Sequence, residues 1–363
     1  MVDGQVVSER APRRWYHAAG GPGPRLIFGL AAVLLLAGIG RVTWLALVPQ
    51  TISPAIELQI APGASARDIA AGLEENGVVR SGRVLRLLAR LGSADRDFHH
   101  GVHRFEGEIT PLAVLAELTT PSRDTVRVTI PEGLRVAQAA RLLEEAGVLE
   151  ADEYVKAACE SDFLAVTGAP TESNCSEGYL FPDTYYLSPG MAAADIVRLQ
   201  HRRLLTVLND LGISDDGSAG FKGSSPAIAD TLKLLTLASI IQKESYRTDE
   251  QPLVASVFIN RLERDMKLQA DPTVIYGILA SGREWDGDIR HSDLREDTPY
   301  NSYVHRGLPP GPICSPGKGA LSAALNPATS DFLFFVADGK GTHRFSRTVA
   351  EHQAAVRQYL AQR

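Results

Sequence analysis

The sequence predicts an α+β protein in which helices and strands do not alternate regularly. Short β-like runs are separated by unequal numbers of helical segments. Near the C-terminus, within residues 326–348, a strand, an Asp-Gly-Lys-Gly turn and a second strand follow the pattern of a β-hairpin. Strict strand–helix alternation, which is typical of a parallel sheet, is not found. With 363 residues, the chain is long enough for two or three domains.

The first element is an apolar segment over residues 26–48, interrupted only by Arg41. Its length matches the roughly 20 residues that cross a bilayer. Four arginines precede it, which predicts a cytoplasmic N-terminus. We therefore expect a cytoplasmic tail over 1–25, a single transmembrane helix over 26–48 and the rest of the chain on the cell-wall side of a bacterial inner membrane. A cleaved signal peptide with its apolar core at 26–40 is the alternative, although no convincing Ala-x-Ala site follows.

The next feature is an internal similarity between residues 58–79 and residues 128–149. Each copy passes from a β-like run through a turn with Pro and Gly into an amphipathic helix. Each helix ends at a glycine, Gly77 or Gly147, in the position of a helix C-cap. Two copies do not make a solenoid, so they indicate a small βα module used twice. A strand, a turn and a helix over residues 101–120 are expected to close the first copy.

Apolar periodicity then predicts a series of helices. Their ranges are 82–92, 152–166, 192–212, 227–246, 250–265 and 348–361. Two other segments lack periodicity and are rich in Pro, Gly and Tyr. We predict a structural loop for residues 176–190 and, for residues 268–317, loops of the kind that surround a functional site.

Composition and motifs exclude several kinds of site. A net charge of −6 without a basic block gives no support to nucleic-acid binding. No CxxC or HExxH motif is present, so we expect no metal and no cofactor, and we interpret His343 and the pair His99-His100 as surface or core residues. Three free thiols are the favoured interpretation of the cysteines, and a Cys159–Cys175 disulfide is the alternative for a chain outside the cytoplasm.

Residues 237–245, LASIIQKES, place a glutamate on an apolar helix face. Glu244 follows Leu234, Leu237, Ile240 and Ile241 at helical spacing. The opposite face carries polar residues and is predicted to be solvated: Lys233, Thr236, Ser239, Gln242 and Lys243. Burial and the helix C-terminus both raise the pKa of a carboxyl group, and a carboxyl that stays protonated is suited to act as a general acid.

The alternative is a glutamate at a frayed helix end, turned outward or paired with Arg247 or Lys243. Cleavage of a glycosidic bond fits a general acid well, because the leaving oxygen must be protonated. A hydrolase generally adds a second carboxylate, for which Asp271 and Asp249 are the candidates.

Several stretches together resemble the signature blocks of the endolytic murein transglycosylases, the YceG-like or MltG-like family. In order along the chain they are EGYLFPDTY, TLASIIQKES, VASVFINRL, LQADPTVIYG, YNSY, GLPPGPI and FVADGKGTHRFS. The resemblance implies cleavage of the MurNAc–GlcNAc β-1,4 bond within nascent peptidoglycan strands without water, so that a 1,6-anhydro end forms. It also implies that one glutamate, here Glu244, serves as acid and then as base.

The resemblance further implies a LysM-like glycan-binding subdomain over 55–123, a catalytic domain over 124–363 and peptidoglycan synthases (penicillin-binding proteins) as partners. Tentative substrate-binding residues are Ser245, Gln269, Asp271, Tyr276, Tyr300, Asn301 and Tyr303. For each of them a structural role is the alternative, and for Glu177 and Asp183 a structural role is favoured. Two rival functions stay open: a non-catalytic glycan-binding scaffold, and a hydrolase that uses Glu244 with Asp271.

Overall fold

The computed structural model describes residues 36–38, 40–61, 64–92, 94, 98–122, 125–160, 163–164, 175–214 and 225–361. The predicted cytoplasmic tail, and residues 26–35 and 39 of the predicted transmembrane helix, lie outside these residues. Residues 40–47 are helical. In the described part of the chain, no helix has both the length and the apolar character needed to cross a membrane.

The first folded unit contains two strands and three helices. They are β1 (Gln50–Ile60), α1 (Ala66–Glu75), α2 (Gly82–Leu91), β2 (Gly101–Ile109) and α3 (Pro111–Leu118). β1 and β2 pair antiparallel, and the apolar faces of the helices pack around Leu73, Phe105 and Leu118, which are fully buried. α1 begins with a capping box in which Ser65 and Asp68 bond each other's backbone amides. The predicted strands and helices of this region are confirmed.

The second unit repeats the strand–helix–helix–strand order. It consists of β3 (Val126–Thr129), α4 (Val136–Glu145), α5 (Ala151–Ala158) and β4 (Thr184–Leu187), with β3 and β4 antiparallel. Gly77 and Gly147 follow the equivalent helices with φ of 71° and 69°, as the predicted C-caps require. The prediction of a loop throughout 176–190 is wrong, because β4 lies within it. A four-residue strand between Pro182 and Pro189 has too little alternation to be recognised.

The third unit holds most of the remaining helices. It contains α6 (Ala193–Asp210), α7 (Thr231–Glu244), α8 (Gln251–Glu263), α9 (Asp271–Ala280), α10 (Lys318–Leu325) and α11 (Val349–Leu360), together with the hairpin β5 (Phe334–Ala337) and β6 (His343–Ser346). The predicted helices and hairpin are confirmed. The prediction of loops over 268–317 is wrong at α9, whose second residue, Pro272, is compatible with a helix start.

α7 lies at the centre of this unit and is buried around most of its circumference. The prediction that its polar face is solvated is wrong at three positions, because Thr236, Ser239 and Gln242 are at most 2% exposed. The backbone N–H of Ile313 donates to Ser239 Oγ (3.0 Å), and that of Gly317 donates to Gln242 Oε1 (3.0 Å). Ser239 and Gln242 are therefore satisfied by the backbone of the 313–317 segment, and the Thr236 hydroxyl donates to the carbonyl of Leu232 within the helix (2.7 Å).

The cysteines also differ from the favoured interpretation. Cys159 and Cys175 form a disulfide, and Cys314 is free and buried. The bridge connects the end of α5 with the segment that leads to β4. Ser176 reinforces this connection, since its backbone N–H (2.9 Å) and its hydroxyl (2.7 Å) both donate to the carbonyl of Ala158.

Candidate active site

A pocket of about 310 Å³ opens beside the C-terminus of α7. Five elements (α7, α8, α9, β5 and α11), the segment before α9 and the 301–303 turn contribute side chains to it. The lining residues are Glu244, Phe258, Arg261, Leu268, Gln269, Asp271, Tyr303, Phe334, Phe335 and His352. The pocket thus combines a wall of aromatic rings with a small set of charged and polar groups, which is typical of sites that bind a specific ligand.

Glu244 is the last residue of α7, and its side chain is half-buried. The backbone turns away from the helix at Ser245 (φ −141°, ψ 124°). Neither predicted alternative partner holds the carboxylate. Arg247 pairs with Asp249 at 2.6 Å, and the ammonium of Lys243 points to the carbonyl of Gly133 at 3.4 Å.

The surroundings of Glu244 favour its protonated form. Although solvent reaches part of the side chain from the pocket, burial of the carboxyl is the largest cause that raises its pKa, to about 8. The negative charge of Asp271 raises the pKa further, and the positive charge of Arg261 acts in the opposite direction. A carboxyl group in this environment is protonated at neutral pH and can donate its proton.

Arg261 lines the pocket and extends from α8 to the segment before β5. It is 8% exposed. Its Nε donates to the carbonyl of Leu333 (2.6 Å) and its Nη1 to the carbonyl of Leu268 (2.6 Å), while the guanidinium carbon lies 5.1 Å from the centre of the Phe334 ring. These contacts fix a positive charge in the pocket lining to which Glu244 also belongs.

Asp271 and Tyr303 form a hydrogen-bonded pair on another side of the pocket. The Tyr303 hydroxyl donates to Asp271 Oδ1 at 2.6 Å. Gln269 precedes this pair with a φ of 50°, a left-handed conformation that is uncommon for a residue other than glycine. Its backbone N–H donates to the carbonyl of Ser302 at 3.2 Å. The α9 start is therefore held against the 301–303 turn, and the polar groups of both segments meet in the pocket.

Comparisons with known proteins agree with this arrangement. The model of the YceG-like family matches residues 58–358. The chain belongs to the YceG-like family. It is 28% identical to an endolytic murein transglycosylase of Bacillus subtilis over 320 residues, which are 84% of this chain and 85% of the relative.

Two further relatives extend this result for the YceG-like chain. An endolytic murein transglycosylase of Streptococcus pneumoniae strain D39 is 29% identical over 331 residues, which are 82% of this chain and 58% of the longer relative. The crystal structure of a YceG-like protein of Listeria monocytogenes superposes with a TM-score of 0.52 at 27% identity and covers 83% of this chain and 98% of that one.

The structure brings only some of the predicted site residues into the pocket of this YceG-like protein. Gln269, Asp271 and Tyr303 line it together with Glu244. Tyr276 and Tyr300 are buried and pack on each other with ring centres 4.6 Å apart, beside Glu177 rather than in the pocket wall.

Asn301 and Ser245 lie behind the pocket and organise its backbone. Asn301 is 1% exposed; its Nδ2 donates to the carbonyls of Asp293 (2.9 Å) and Glu296 (2.7 Å), and its Oδ1 accepts from the N–H of Tyr303 (2.9 Å). Ser245 Oγ accepts from the N–H of Arg247 at 3.2 Å. Asn301 thus positions the tyrosine that bonds Asp271.

The other candidate acids lie outside the pocket. Glu177 Oε1 accepts from the N–H of Val136 (2.7 Å) at the start of α4, and burial raises its pKa to about 7. Asp183 pairs with Arg203 at 2.6 Å. Asp249 is exposed in its pair with Arg247, so Asp271 is the second carboxylate that accompanies Glu244 in the pocket lining.

Sequence reasoning missed Arg261 and His352. Arg261 follows Val254 and Phe258 at helical spacing, so it lies on a buried stripe just as Glu244 does, and this signal was present in the sequence. His352 stacks on Phe334 with ring centres 5.3 Å apart, and no local pattern indicates it.

His343 bonds Glu250 through its backbone N–H and Nδ1, both at 2.9 Å. Over the described ranges, no cluster of His, Cys, Asp or Glu suits a metal ion.

Proposed function

We propose that this chain is an endolytic murein transglycosylase and that Glu244 is its catalytic acid and base. One observation carries the proposal: the carboxyl of Glu244 opens into a pocket of about 310 Å³ where burial raises its pKa to about 8. The names of the relatives and the family membership support the same reaction. The substrate is the glycan strand of peptidoglycan.

The proposed reaction needs a single titrating group. In the first step, Glu244 donates its proton to the glycosidic oxygen, and the bond between that oxygen and C1 of MurNAc breaks. The ring then carries the positive charge of an oxocarbenium-like species, and Glu244 is a carboxylate. In the second step, Glu244 takes the proton of the C6 hydroxyl while O6 forms a bond with C1. The product is a 1,6-anhydro sugar, and Glu244 is protonated again.

The pocket residues suggest how the glycan is held. We assign direct contact with the sugar to Gln269, Asp271 and Tyr303, because their polar groups line the pocket together with Glu244. Amide and carboxylate groups bond hydroxyl and acetamido groups, and aromatic faces stack on sugar rings. Ser245, Tyr276, Tyr300 and Asn301 support the pocket from behind.

Product analysis tests this proposal directly. Uncrosslinked glycan strands are incubated with the full chain and with Glu244→Gln, and the ends of the products are identified by mass spectrometry. We expect anhydro-MurNAc ends from the parent and none from the variant. A variant that is folded and still cleaves at the parent rate would exclude Glu244 as the acid. A parent that is folded and binds strands without cleaving them would favour a scaffold.

Hydrolysis is the second candidate reaction, because Asp271 lies in the same pocket as Glu244. A hydrolase would use Asp271 to activate water or to attack C1. The Tyr303 hydroxyl already occupies Asp271 Oδ1 at 2.6 Å, so one oxygen of this carboxylate is engaged. Products with reducing ends instead of anhydro ends would establish the hydrolase.

We also propose that residues 26–48 anchor the enzyme in the bacterial inner membrane, with the N-terminus in the cytoplasm and the folded units on the cell-wall side. The apolar segment and the preceding arginines support this arrangement, as does the Cys159–Cys175 disulfide, because disulfides persist in oxidising compartments. Protease added to spheroplasts should digest the part after residue 50 and spare the tail. Protection of the whole chain would contradict the proposed topology.

Two binding roles complete the proposal. The unit over 55–123 is LysM-like and holds glycan strands, and peptidoglycan synthases (penicillin-binding proteins) are the partners that supply nascent strands. The family resemblance supports both roles. Pull-down of the isolated unit with peptidoglycan, and crosslinking of the full chain to a purified synthase in detergent, test them separately. Absence of binding in either assay would remove that role alone.

A further inference from the structure

Arg261 is a cation that is buried beside the pocket. Its hydrogen bonds go to the carbonyls of Leu333 and Leu268 and, more weakly, to that of Lys267 at 3.5 Å. Among the residues that the structure describes, none forms an ion pair with it. A guanidinium stays charged in proteins, and a buried charge is costly unless an opposite charge compensates it. The charge of Arg261 is therefore available to an anion that forms in the adjoining pocket.

The pocket also contains a fixed charge of the opposite sign. Asp271 begins α9, whereas Arg261 belongs to α8, and both line the pocket that Glu244 lines. The Tyr303 hydroxyl holds Asp271 in place, and backbone carbonyls hold Arg261. We propose that Arg261 and Asp271 are positioning residues that act on Glu244 in opposite directions: Asp271 favours the protonated acid, and Arg261 stabilises the carboxylate formed after proton transfer. This inference rests on the proposed function of Glu244.

The other groups around Glu244 do not replace these two charges. In the 301–303 turn, the hydroxyl of Tyr303 already donates its hydrogen bond to Asp271. From α11, His352 stacks on Phe334, and burial together with the charge of Arg261 lowers the pKa of its imidazole, which favours the neutral ring.

The charged side chains on α7 and on the elements packed against it are bonded to groups other than Glu244. On α7 itself, Lys243 turns to the carbonyl of Gly133. On α10, Lys318 pairs with Asp210 at 3.6 Å. At the start of α8, Glu250 is held by His343, which lies behind the ring of Phe335. At the end of α8, Glu263 accepts a bond from Ser225 at 2.8 Å.

Two opposed charges suit a group that must first give and then recover a proton. Burial and Asp271 alone would hold the proton of Glu244 so tightly that donation becomes slow. Without Asp271, Arg261 would lower the pKa of Glu244, and a smaller fraction of the enzyme would hold the proton at neutral pH. With both charges present, the pKa stays near the working pH, which is where one group serves best as acid and as base.

The test is the pH dependence of kcat/KM with glycan strands for the parent, Arg261→Gln, Arg261→Lys and Asp271→Asn. The alkaline limb of this profile reports loss of the Glu244 proton in the free enzyme. We expect the limb to move up by on the order of one pH unit in Arg261→Gln and down by a similar amount in Asp271→Asn. In Arg261→Lys, which keeps the charge, the limb should stay near its parent position.

A matched control separates electrostatics from loss of structure. Asn260, the neighbour of Arg261, donates to the carbonyls of Ser330 and Phe332, both at 2.9 Å, and does not line the pocket. Asn260→Ala therefore removes comparable tethers to the same segment. It should leave the alkaline limb unchanged, whatever it does to thermal stability.

The outcomes decide the inference independently of the proposed function. If the alkaline limb of the kcat/KM profile does not move in folded Arg261→Gln or in Asp271→Asn, the inference is overturned, even if Glu244→Gln is inactive. If Arg261→Gln does not fold, Asp271→Asn decides: a downward shift supports the balance of charges, and an unchanged or upward limb overturns it. A Glu244→Gln variant with parent activity would instead remove the proposed function and the inference with it.

Discussion

Gly178 and Pro312 approach each other so closely that no side chain fits between them. A Cβ atom at position 178 would lie 2.6 Å from Pro312 Cγ, and Gly178 has a φ of 79°. This contact joins the segment before β4 to the GLPPGPI segment next to α7. Both the close approach and the left-handed backbone require glycine at this position.

Gly178→Ala should therefore destabilise the protein more than a substitution at an open left-handed glycine. Gly190 is the matched control, since its φ is 76° and a Cβ atom added there would meet no atom within 4 Å. We expect Gly190→Ala to cost about 1 kcal/mol from backbone strain. Gly178→Ala should cost roughly 1–3 kcal/mol more, because Pro312 must move. Urea unfolding of the two variants measures this difference in unfolding free energy, provided that their m values are equal. Equal midpoints for the two variants would contradict the prediction.

Tyr303→Phe tests the pair with Asp271. The substitution removes the hydroxyl that holds the carboxylate at 2.6 Å and leaves the aromatic ring. Hydrogen bonds to charged groups contribute about 1.5–3 kcal/mol, so we expect kcat to fall by roughly tenfold or more. Loss of the same bond should also lower thermal stability, so kcat is compared at a temperature at which both proteins are folded.

The control for Tyr303→Phe is Tyr359→Phe on α11, which lies outside the pocket lining. This variant should keep the parent kcat. If Tyr303→Phe also turned over strands at the parent rate, the hydroxyl would have no part in positioning Asp271.

Glu244→Gln should stabilise the folded protein at alkaline pH. The pKa of Glu244 is raised from 4.5 to about 8 in the folded state, so between these values the folded protein binds a proton that the unfolded chain does not bind. The contribution of Glu244 to stability is therefore largest at low pH and falls as the pH rises toward about 8. Glutamine does not titrate and avoids this loss.

Thermal denaturation of parent and Glu244→Gln at pH 5, 7 and 9 measures the effect. The Tm of the variant minus that of the parent should increase across this series. Because both proteins contain Glu177, whose pKa is also raised, the difference isolates Glu244. A difference that stays constant with pH would mean that Glu244 is ionised in the folded protein at pH 5.

The elements that could be predicted from the sequence are those with strong local signals. The amphipathic periodicity of α6, α8 and α11 and the glycines after α1 and α4 depend only on neighbouring residues. Glu244 could be identified by the same means, because an acid on an apolar stripe is a local anomaly.

What the sequence did not reveal depends on distant partners. Thr236, Ser239 and Gln242 appear solvated by composition, but the segment that satisfies Gln242 lies 75 residues away in the chain. β4 is defined by its pairing with β3 rather than by its own four residues. The pocket wall at His352 likewise requires α11 to pack on β5, which no periodicity within either element indicates.

The Cys159–Cys175 disulfide should contribute measurably to stability. It closes a loop with a sequence separation of 16, and a loop of about 15 residues corresponds to about 3 kcal/mol in the chain-entropy description. Replacement of both cysteines by serine should therefore lower the free energy of unfolding by roughly 2–4 kcal/mol. Neither cysteine lines the pocket, so kcat should stay near the parent value.

Thiol counting supplies the control, because the stability comparison is meaningful only if the parent is oxidised. The unfolded parent should expose one reactive thiol, that of Cys314, and three after reduction. Reduction of the parent should then lower its stability to that of the double variant. Three reactive thiols before reduction, in protein isolated from the cell envelope, would contradict both the bridge and the oxidising location that it supports.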